Sequence, residues 1–249
     1  MTLPTAPEGK TWDGHFPLVG LKIVKDFKRP APELVDRFRD RFVPDIADWL
    51  GVLYCVDHDI RPAYSPMPRL IGPAFTVRVP PGDNLMVKMA IHMAKPGDVI
   101  VIDSRGHTDW CLGGAGMTVV AKSRGVAGML IDGAYRDISQ VQSIDFPMMF
   151  KGVAPATGPK KGPGMINVPV HVGGVIVHPG DIVVGDSEGT VIIPRDGAER
   201  IADRIQDTPL KETSDDWDWE GIAKADQARV DYFNSLLEYR GVEYEDSAD

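Results

Sequence analysis

The sequence has little cysteine, no excess of positive charge and no long apolar run. Its two cysteines, Cys55 and Cys111, cannot build a disulfide framework, and neither lies in a Cys-x-x-Cys metal pair. No apolar run approaches the roughly 20 residues that a membrane span requires. The first residues, MTLPTAPEGKTWDGH, lack the basic and apolar pattern of a secretion signal. We therefore expect a cytoplasmic protein without a membrane segment.

The negative charge is concentrated at the end of the chain. The sequence has 27 Lys and Arg against 36 Asp and Glu, a formal net charge of −9. Residues 212–249 hold 12 acidic and 3 basic side chains, which accounts for all of it, so residues 1–211 are balanced. A nucleic-acid partner is not expected, because the basic surface that phosphates require is missing.

The middle of the chain predicts a β–turn–α–β arrangement. The apolar runs GDVIVIDSRG and VAGMLIDGAYRD are typical of strands that are buried on both faces. Between them, LGGAGMTVVAKSRG predicts a glycine-rich turn that enters a helix. Downstream, residues 168–194 predict an antiparallel meander of three short strands, and the end of the chain is helical. The fold class is therefore α/β, with strand ends and helix starts on one rim.

Two features on this rim are candidates for chemistry. The turn GGAGM, residues 113–117, allows close approach of a ligand, and free N–H groups at a helix start favour an anion. It is neither a dinucleotide fingerprint nor a phosphate-binding P-loop. Arg136 and Asp137 follow the next strand. A guanidinium can bind a carboxylate and an Asp oxygen can bind Mg²⁺, but a solvated ion pair is an equal alternative from these two residues alone.

The histidines show no metal-binding spacing. His107 follows the strand that precedes the glycine turn and is a candidate for the same rim, whereas His92 lies inside an amphipathic helix and is expected to be structural. Cys111 stands between Trp110 and Leu112 and is expected to be a packed thiol, because no nucleophile elbow surrounds it.

Three segments together carry a resemblance to a known family: PGDVIVIDSRG, LGGAGMTVVAKSRGVAGMLIDGAYRD and PGDIVVGDSEGTVIIP. In order and spacing the sequence resembles the 4-hydroxy-4-methyl-2-oxoglutarate and 4-carboxy-4-hydroxy-2-oxoadipate aldolases, which share a fold with the regulator of ribonuclease E activity A. The resemblance covers about residues 33–200, and Asp-Gly-x-x-Arg-Asp is its most specific part. It implies a three-layer β/β/α sandwich of the swivelling-domain type. An N-terminal arm (1–32) precedes this domain, and an acidic helical extension (201–249) follows it.

The resemblance also implies residue roles. Arg136 would bind the pyruvyl substrate and stabilise its enolate, and Asp137 would hold Mg²⁺ or Mn²⁺. Backbone N–H groups of Gly114, Ala115, Gly116 and Met117 would bind the substrate carboxylate. The implied assembly is a homotrimer or homohexamer with sites between subunits.

One position departs from the aldolases, which carry an acidic residue 21 positions before the Arg, where this chain has Ala115. His107 and Asp109, which precede the turn, are the candidates to replace that carboxylate in proton transfer.

The predicted function is a divalent-metal-dependent carbon–carbon lyase of the class II pyruvate aldolase type. It would cleave a hydroxylated, carboxylated 2-keto acid, as in aromatic degradation, and release pyruvate. The resemblance also implies oxaloacetate decarboxylation as an additional activity. Two alternatives stay open: another keto-acid lyase or hydratase that uses the same site, and a non-catalytic binding protein like the ribonuclease regulator.

Overall fold

A computed structural model of the protein describes residues 19–206 and 218–242. The chain divides into two compact units, residues 1–209 and 210–249. None of the described helices has the length and apolar character needed to cross a lipid bilayer. The predicted three-part division at residues 32 and 200 stays a prediction.

The described part of the first unit contains eleven strands and six α-helices. Its strands are β1 (Leu21–Ile23), β2 (Arg61–Pro62), β3 (Leu70–Arg78), β4 (Val99–Cys111), β5 (Gly128–Tyr135), β6 (Met148–Val153), β7 (Gly164–Ile166), β8 (Val170–Val172), β9 (Val175–Val177), β10 (Ile182–Asp186) and β11 (Gly189–Ile193). Its helices are α1 (Pro32–Asp36), α2 (Val43–Leu50), α3 (Leu85–Met93), α4 (Ala115–Ser123), α5 (Ile138–Ser143) and α6 (Ala198–Gln206).

Four neighbouring parallel strands, β3, β4, β5 and β6, form the centre of the main sheet. Every residue of β5 is buried, as expected of a strand covered on both faces. Helix α4 connects β4 to β5, which confirms the predicted β–turn–α–β unit. The carboxyl ends of these strands and the start of α4 therefore share one edge of the sheet.

Three hydrophobic cores separate the layers. Helices α3, α4 and α5 pack on one face of the sheet, around Phe75, Ile102 and Ile131. Residues of β8 to β11 cover the other face, where Val101 and Leu130 are fully buried. Helices α1, α2 and α6 close the outer side of β10 and β11. This arrangement confirms the α/β class and the β/β/α sandwich.

The predicted three-strand meander is wrong in its pairing. Residues 170–193 form two separate antiparallel hairpins, β8–β9 and β10–β11, and the free side of β10 pairs with β3. The turn between β9 and β10 explains the difference. His178 N donates to Asp181 Oδ2 at 2.7 Å, and Gly180 N donates to Ala74 O at 3.0 Å, so the chain leaves β9 and joins β3.

Residues 19–31 pack against the rest of the first unit. Strand β1 pairs with β7 in parallel. Arg29 donates from Nε and Nη2 to both carboxylate oxygens of Asp98, each at 2.7 Å, and from Nη1 to Asp26 at 2.6 Å. Asp98 is 1% exposed, so this fork neutralises a buried charge at the turn before β4.

The described part of the second unit is helical, as predicted for the acidic end of the chain. It contains α7 (Trp219–Ala225) and α8 (Gln227–Tyr239). The side chain of Asp218 caps α7 by accepting a hydrogen bond from Gly221 N at 2.9 Å.

Candidate active site at the carboxyl end of β5

The glycine turn leads directly into α4. Gly114 is extended, with φ −161°, and its carbonyl accepts hydrogen bonds from Met117 N at 3.0 Å and Thr118 N at 3.2 Å. The N–H groups of Gly114 and Gly116 donate to no atom of the described residues. Of the four predicted anion-binding N–H groups, these two therefore lack an acceptor in the described structure; Gly116 is exposed and Gly114 is buried.

Arg136 and Asp137 lie against this turn. Arg136 N donates to Gly113 O at 3.2 Å, and Ala115 N donates to Asp137 Oδ2 at 3.1 Å. Asp137 has a φ of +59°, a left-handed conformation that Asp tolerates better than most residues. This conformation turns its carboxylate back towards the start of α4. The structure thus brings together the Arg-Asp pair and residues 114–117.

The guanidinium of Arg136 is only partly satisfied. Its Nη1 donates to Pro155 O at 3.0 Å, and its Nε lies 3.7 Å from Asp137 Oδ2, beyond hydrogen-bond distance. Nε is buried and has no hydrogen-bond partner among the described residues. The side chain is nevertheless 41% exposed. Nη2 also has no hydrogen-bond partner among the described residues, so the exposed end of the guanidinium can bind a ligand carboxylate.

Tyr135 supports the glycine turn through its hydroxyl group, a role that the sequence pattern did not predict. Its hydroxyl lies 3.1 Å from both Gly114 O and Thr118 Oγ1, and its side chain is fully buried. Burial raises the pKa of Tyr135, so the hydroxyl stays neutral. Alternation along β5 is the signal that could have found it, since it sets Tyr135 on the opposite face from Arg136.

His107 and Asp109 lie on β4, the strand next to β5. Strand β4 pairs with β5 through Asp103↔Asp132, His107↔Gly133 and Cys111↔Ala134, so residues 104–106 and 108–110 leave the ladder as two excursions. The His107 ring packs 5.1 Å from that of Trp110, and its buried Nε2 has no partner in the described ranges. Asp109 is exposed. In the described structure neither residue hydrogen-bonds to the Arg-Asp pair.

Cys111 is a packed thiol, as expected from its sequence context. Its side chain is fully buried with Ala134 and Ala154. Burial raises the pKa of Cys111, which disfavours the nucleophilic thiolate.

Among the residues that the structure describes, Asp137 is the group of this site that could hold a divalent cation. No group of three or more His, Cys, Asp and Glu residues that could hold a metal occurs in the described ranges. The Asp137 side chain is 38% exposed, and Ala115 N fixes its Oδ2. One hard carboxylate that is open to solvent suits Mg²⁺ or Mn²⁺, since Mg²⁺ keeps several of its waters. Zn²⁺ prefers a closed site of nitrogen and sulfur ligands, which Asp137 does not provide.

Residues 43–192 match the family model described as RraA-like, Aldolase/RraA. A protein of Halalkalibacterium halodurans named "putative 4-hydroxy-4-methyl-2-oxoglutarate aldolase" is 38% identical over 184 residues, which are 74% of this chain and 86% of that protein. A protein of Arabidopsis thaliana with the same name and the number 3 is 32% identical, over 54% of this chain and 81% of its own.

Among solved structures, Streptomyces coelicolor RraAS2 has a TM-score of 0.64 and 27% identity, over 73% of this chain and 94% of its own. It is described as an unusual member of the RNase ES inhibitor RraA protein family. These matches confirm the resemblance drawn from the motifs. With its fold and 60% of its length accounted for by the family model, the chain belongs to the RraA-like family of aldolases and RraA proteins.

Proposed function

We propose that the protein is a carbon–carbon lyase that cleaves a hydroxylated, carboxylated 2-keto acid and releases pyruvate. The observation that carries the proposal is the convergence of the Arg136 guanidinium, the Asp137 carboxylate and the free N–H groups of Gly114 and Gly116. A cation, a hard anion and two backbone donors around one point suit a substrate with adjacent carboxylate and keto oxygens. Relatives that are named as aldolases support the reaction class.

In this proposal the glycine turn binds the substrate carboxylate, and Arg136 stabilises the negative charge that develops on the keto oxygen. The substrate carboxylate accepts hydrogen bonds from Gly114 N and Gly116 N at the start of α4. The Nη2 of Arg136, which has no hydrogen-bond partner among the described residues, faces the keto oxygen, where negative charge develops. Asp137 would hold Mg²⁺ or Mn²⁺, which supplies Lewis-acid polarisation of the keto group when bound.

Cleavage requires two proton transfers. The hydroxyl group on carbon 4 loses its proton, the bond between carbons 3 and 4 breaks, and its electron pair forms the enolate of pyruvate. Carbon 4 becomes a carbonyl, and the enolate then takes a proton at carbon 3. His107 and Asp109 are the proposed groups for these transfers, because Ala115 offers no acid–base group; Asp109 is exposed, whereas the Nε2 of His107 is buried.

The open side of the site is the proposed position of a neighbouring subunit. Arg136 and Asp137 are 41% and 38% exposed, which leaves room for groups from another copy of the chain in a trimer or hexamer. Exclusion of water by such a neighbour would strengthen the charge interactions in the site.

The proposal is tested by mixing purified protein with Mg²⁺ and 4-hydroxy-4-methyl-2-oxoglutarate, and following pyruvate with a lactate dehydrogenase assay. Arg136→Ala and Asp137→Ala should each lower kcat/KM by about 10²-fold or more. Arg204→Ala, which removes an exposed arginine from α6, is the matched control and should leave the rate unchanged. Wild-type rates in both site variants would rule out this assignment.

A second candidate, a regulator that binds a ribonuclease, is favoured by Ala115 and by the description of RraAS2. Its test adds the protein to a ribonuclease E type enzyme with a structured RNA. Inhibition that persists in Arg136→Ala, together with no pyruvate release from any keto acid, would favour the regulator over the lyase.

A further inference from the structure

A second, charged cavity lies at the ends of the central strands, separate from the Arg-Asp site. Its volume is about 700 Å³, within the range of small-molecule pockets. A row of four charged residues crosses it from β3 to β6: Arg78, Asp103, Asp132 and Lys151. Asp132 lies on β5, and Arg136 follows the end of that strand, four residues or about 13 Å further along the chain. The two sites therefore require different ligands or different parts of a long one.

The two carboxylates in this row are already occupied. Asp103 Oδ1 accepts from Arg105 N at 3.1 Å, and its Oδ2 accepts from Arg78 Nε at 3.0 Å and from the backbone N of His171 at 3.3 Å. Asp132 Oδ1 accepts from Lys151 Nζ at 3.4 Å.

The other Asp132 oxygen, Oδ2, accepts from Gly173 N at 3.2 Å. Asp103 and Asp132 are 5% and 6% exposed, so they act as internal anchors that are closed to a ligand.

Two of the groups left open to a ligand are hydrogen-bond donors, the guanidinium groups of Arg78 and Arg105. Arg78 bonds Asp103 through Nε alone, and its side chain is 47% exposed, which leaves both terminal nitrogens free in the described structure. Arg105 is exposed, and its guanidinium has no hydrogen bond or ion pair to a described residue. Asp103 therefore anchors Arg78 by its side chain and Arg105 by its backbone, on one wall of the cavity.

Arg105 adopts a left-handed conformation to reach this wall. Its φ is +59° and that of the following Gly106 is +69°, at the first excursion of β4. A non-glycine residue with positive φ is uncommon, and such strain concentrates at functional sites.

The remaining wall is apolar and built largely of proline. Val79, Pro80 and Pro81 follow β3, and Pro163 and Met165 lie at the start of the neighbouring β7, which pairs with β3. Rigid apolar rings next to the open terminal nitrogens of Arg78 and the free guanidinium of Arg105 suit a ligand with a flat apolar body and one anionic end. We propose that this cavity binds an aryl carboxylate, whose carboxylate contacts Arg78 and Arg105 and whose ring lies on the proline wall.

Asp57 gives the proposal a test in the opposite direction. It is the exposed carboxylate of the lining and repels an anion across the cavity. Loss of its charge should therefore strengthen binding, whereas loss of the Arg105 charge should weaken it.

The experiment titrates 2-naphthoate into the purified full chain by isothermal titration calorimetry. Arg105→Gln should weaken binding by about tenfold or more, as expected for one charge-assisted contact, and Asp57→Asn should tighten it. Arg204→Gln, which removes a distant exposed arginine, should bind as the wild type does. Naphthalene-2-methanol, which has the ring without the charge, and inorganic phosphate, which has charge without the ring, should both bind at least tenfold more weakly.

Arg136→Ala separates this cavity from the proposed lyase site and should leave 2-naphthoate binding intact. Loss of binding in Arg136→Ala with normal binding in Arg105→Gln would overturn the proposal, because the carboxylate would then occupy the lyase site. Equal binding of phosphate, or no 2-naphthoate binding up to about 10 mM, would overturn it as well.

Discussion

Gly114→Ala is the sharpest test of the candidate active site, because the one methyl group that it adds would displace the carboxylate of Asp137. A Cβ at residue 114 would lie 2.2 Å from Asp137 Oδ2 and 3.1 Å from Arg136 Cγ. Carbon and oxygen atoms in ordinary contact need more than 3 Å, so the carboxylate must move by about 1 Å. The backbone is not the obstacle, since Gly114 is extended and alanine adopts that conformation.

The displacement breaks the hydrogen bond from Ala115 N to the carboxylate, now 3.1 Å long. Hydrogen bonds to charged groups contribute about 1.5–3 kcal/mol, and Asp137 is 38% exposed, so the lower end of that range applies. About 1.5 kcal/mol corresponds to roughly tenfold in any affinity that depends on this carboxylate. Gly114→Ala should therefore weaken Mn²⁺ binding by about tenfold and lower pyruvate release at least as much.

The affinity is measured by electron paramagnetic resonance of free Mn²⁺, and the fold is checked by thermal unfolding. Gly116→Ala is the matched control, because a Cβ there has no atom within 4 Å, and it should leave Mn²⁺ affinity near that of the wild type. If Gly114→Ala binds Mn²⁺ as tightly as the wild type, Asp137 does not hold the metal from the position described. Equal losses in both alanine variants would point to the added side chain in the turn rather than to Asp137.

Two further predictions concern groups around the turn. Tyr135→Phe removes the hydroxyl beside Gly114 O and should lower the free energy of unfolding by about 1 kcal/mol in urea titrations. Because burial raises the pKa of Tyr135 above that of the unfolded chain, its stabilisation is complete below pH 10 and declines above it; Tyr135→Phe should remove that decline, and Tyr239→Phe, at an exposed site, should not. Ala115→Asp restores a carboxylate and should raise pyruvate release about tenfold or more; an unchanged rate would show that proton transfer does not use this position.

The fold was predictable where local pattern decides it. The apolar runs of β4 and β5 and the glycine turn before α4 identify a buried parallel pair, because strands covered on both faces need continuous apolar sequence. The pairing of β10 with β3 was not predictable, since it joins residues more than 100 positions apart through a turn whose contacts lie outside the local sequence.

The candidate active site, like the fold, was predictable from the sequence only in part. Placing Arg136 and Asp137 beside the glycine turn follows from topology, since the carboxyl ends of parallel strands meet the starts of the helices. The charged cavity could not be found this way. The row of charged residues in that cavity depends on the strand register, which sets Arg78 opposite Asp103 and Asp103 opposite Asp132. Polar residues after the apolar part of β4 look like an ordinary loop, so the two excursions were missed as well.

The fork between Arg29 and Asp98 has a consequence for shortening the chain. A version that starts at residue 33 keeps every strand from β2 to β11 but loses the guanidinium that neutralises a carboxylate only 1% exposed. Removing one partner of a buried pair costs about 3–5 kcal/mol, a large part of the stability of an ordinary domain. The same cut uncovers the edge of β7, which β1 covers, and a bare strand edge invites aggregation. Recombinant work on this protein should therefore retain the residues from β1 onwards, even where sequence similarity to its relatives begins later.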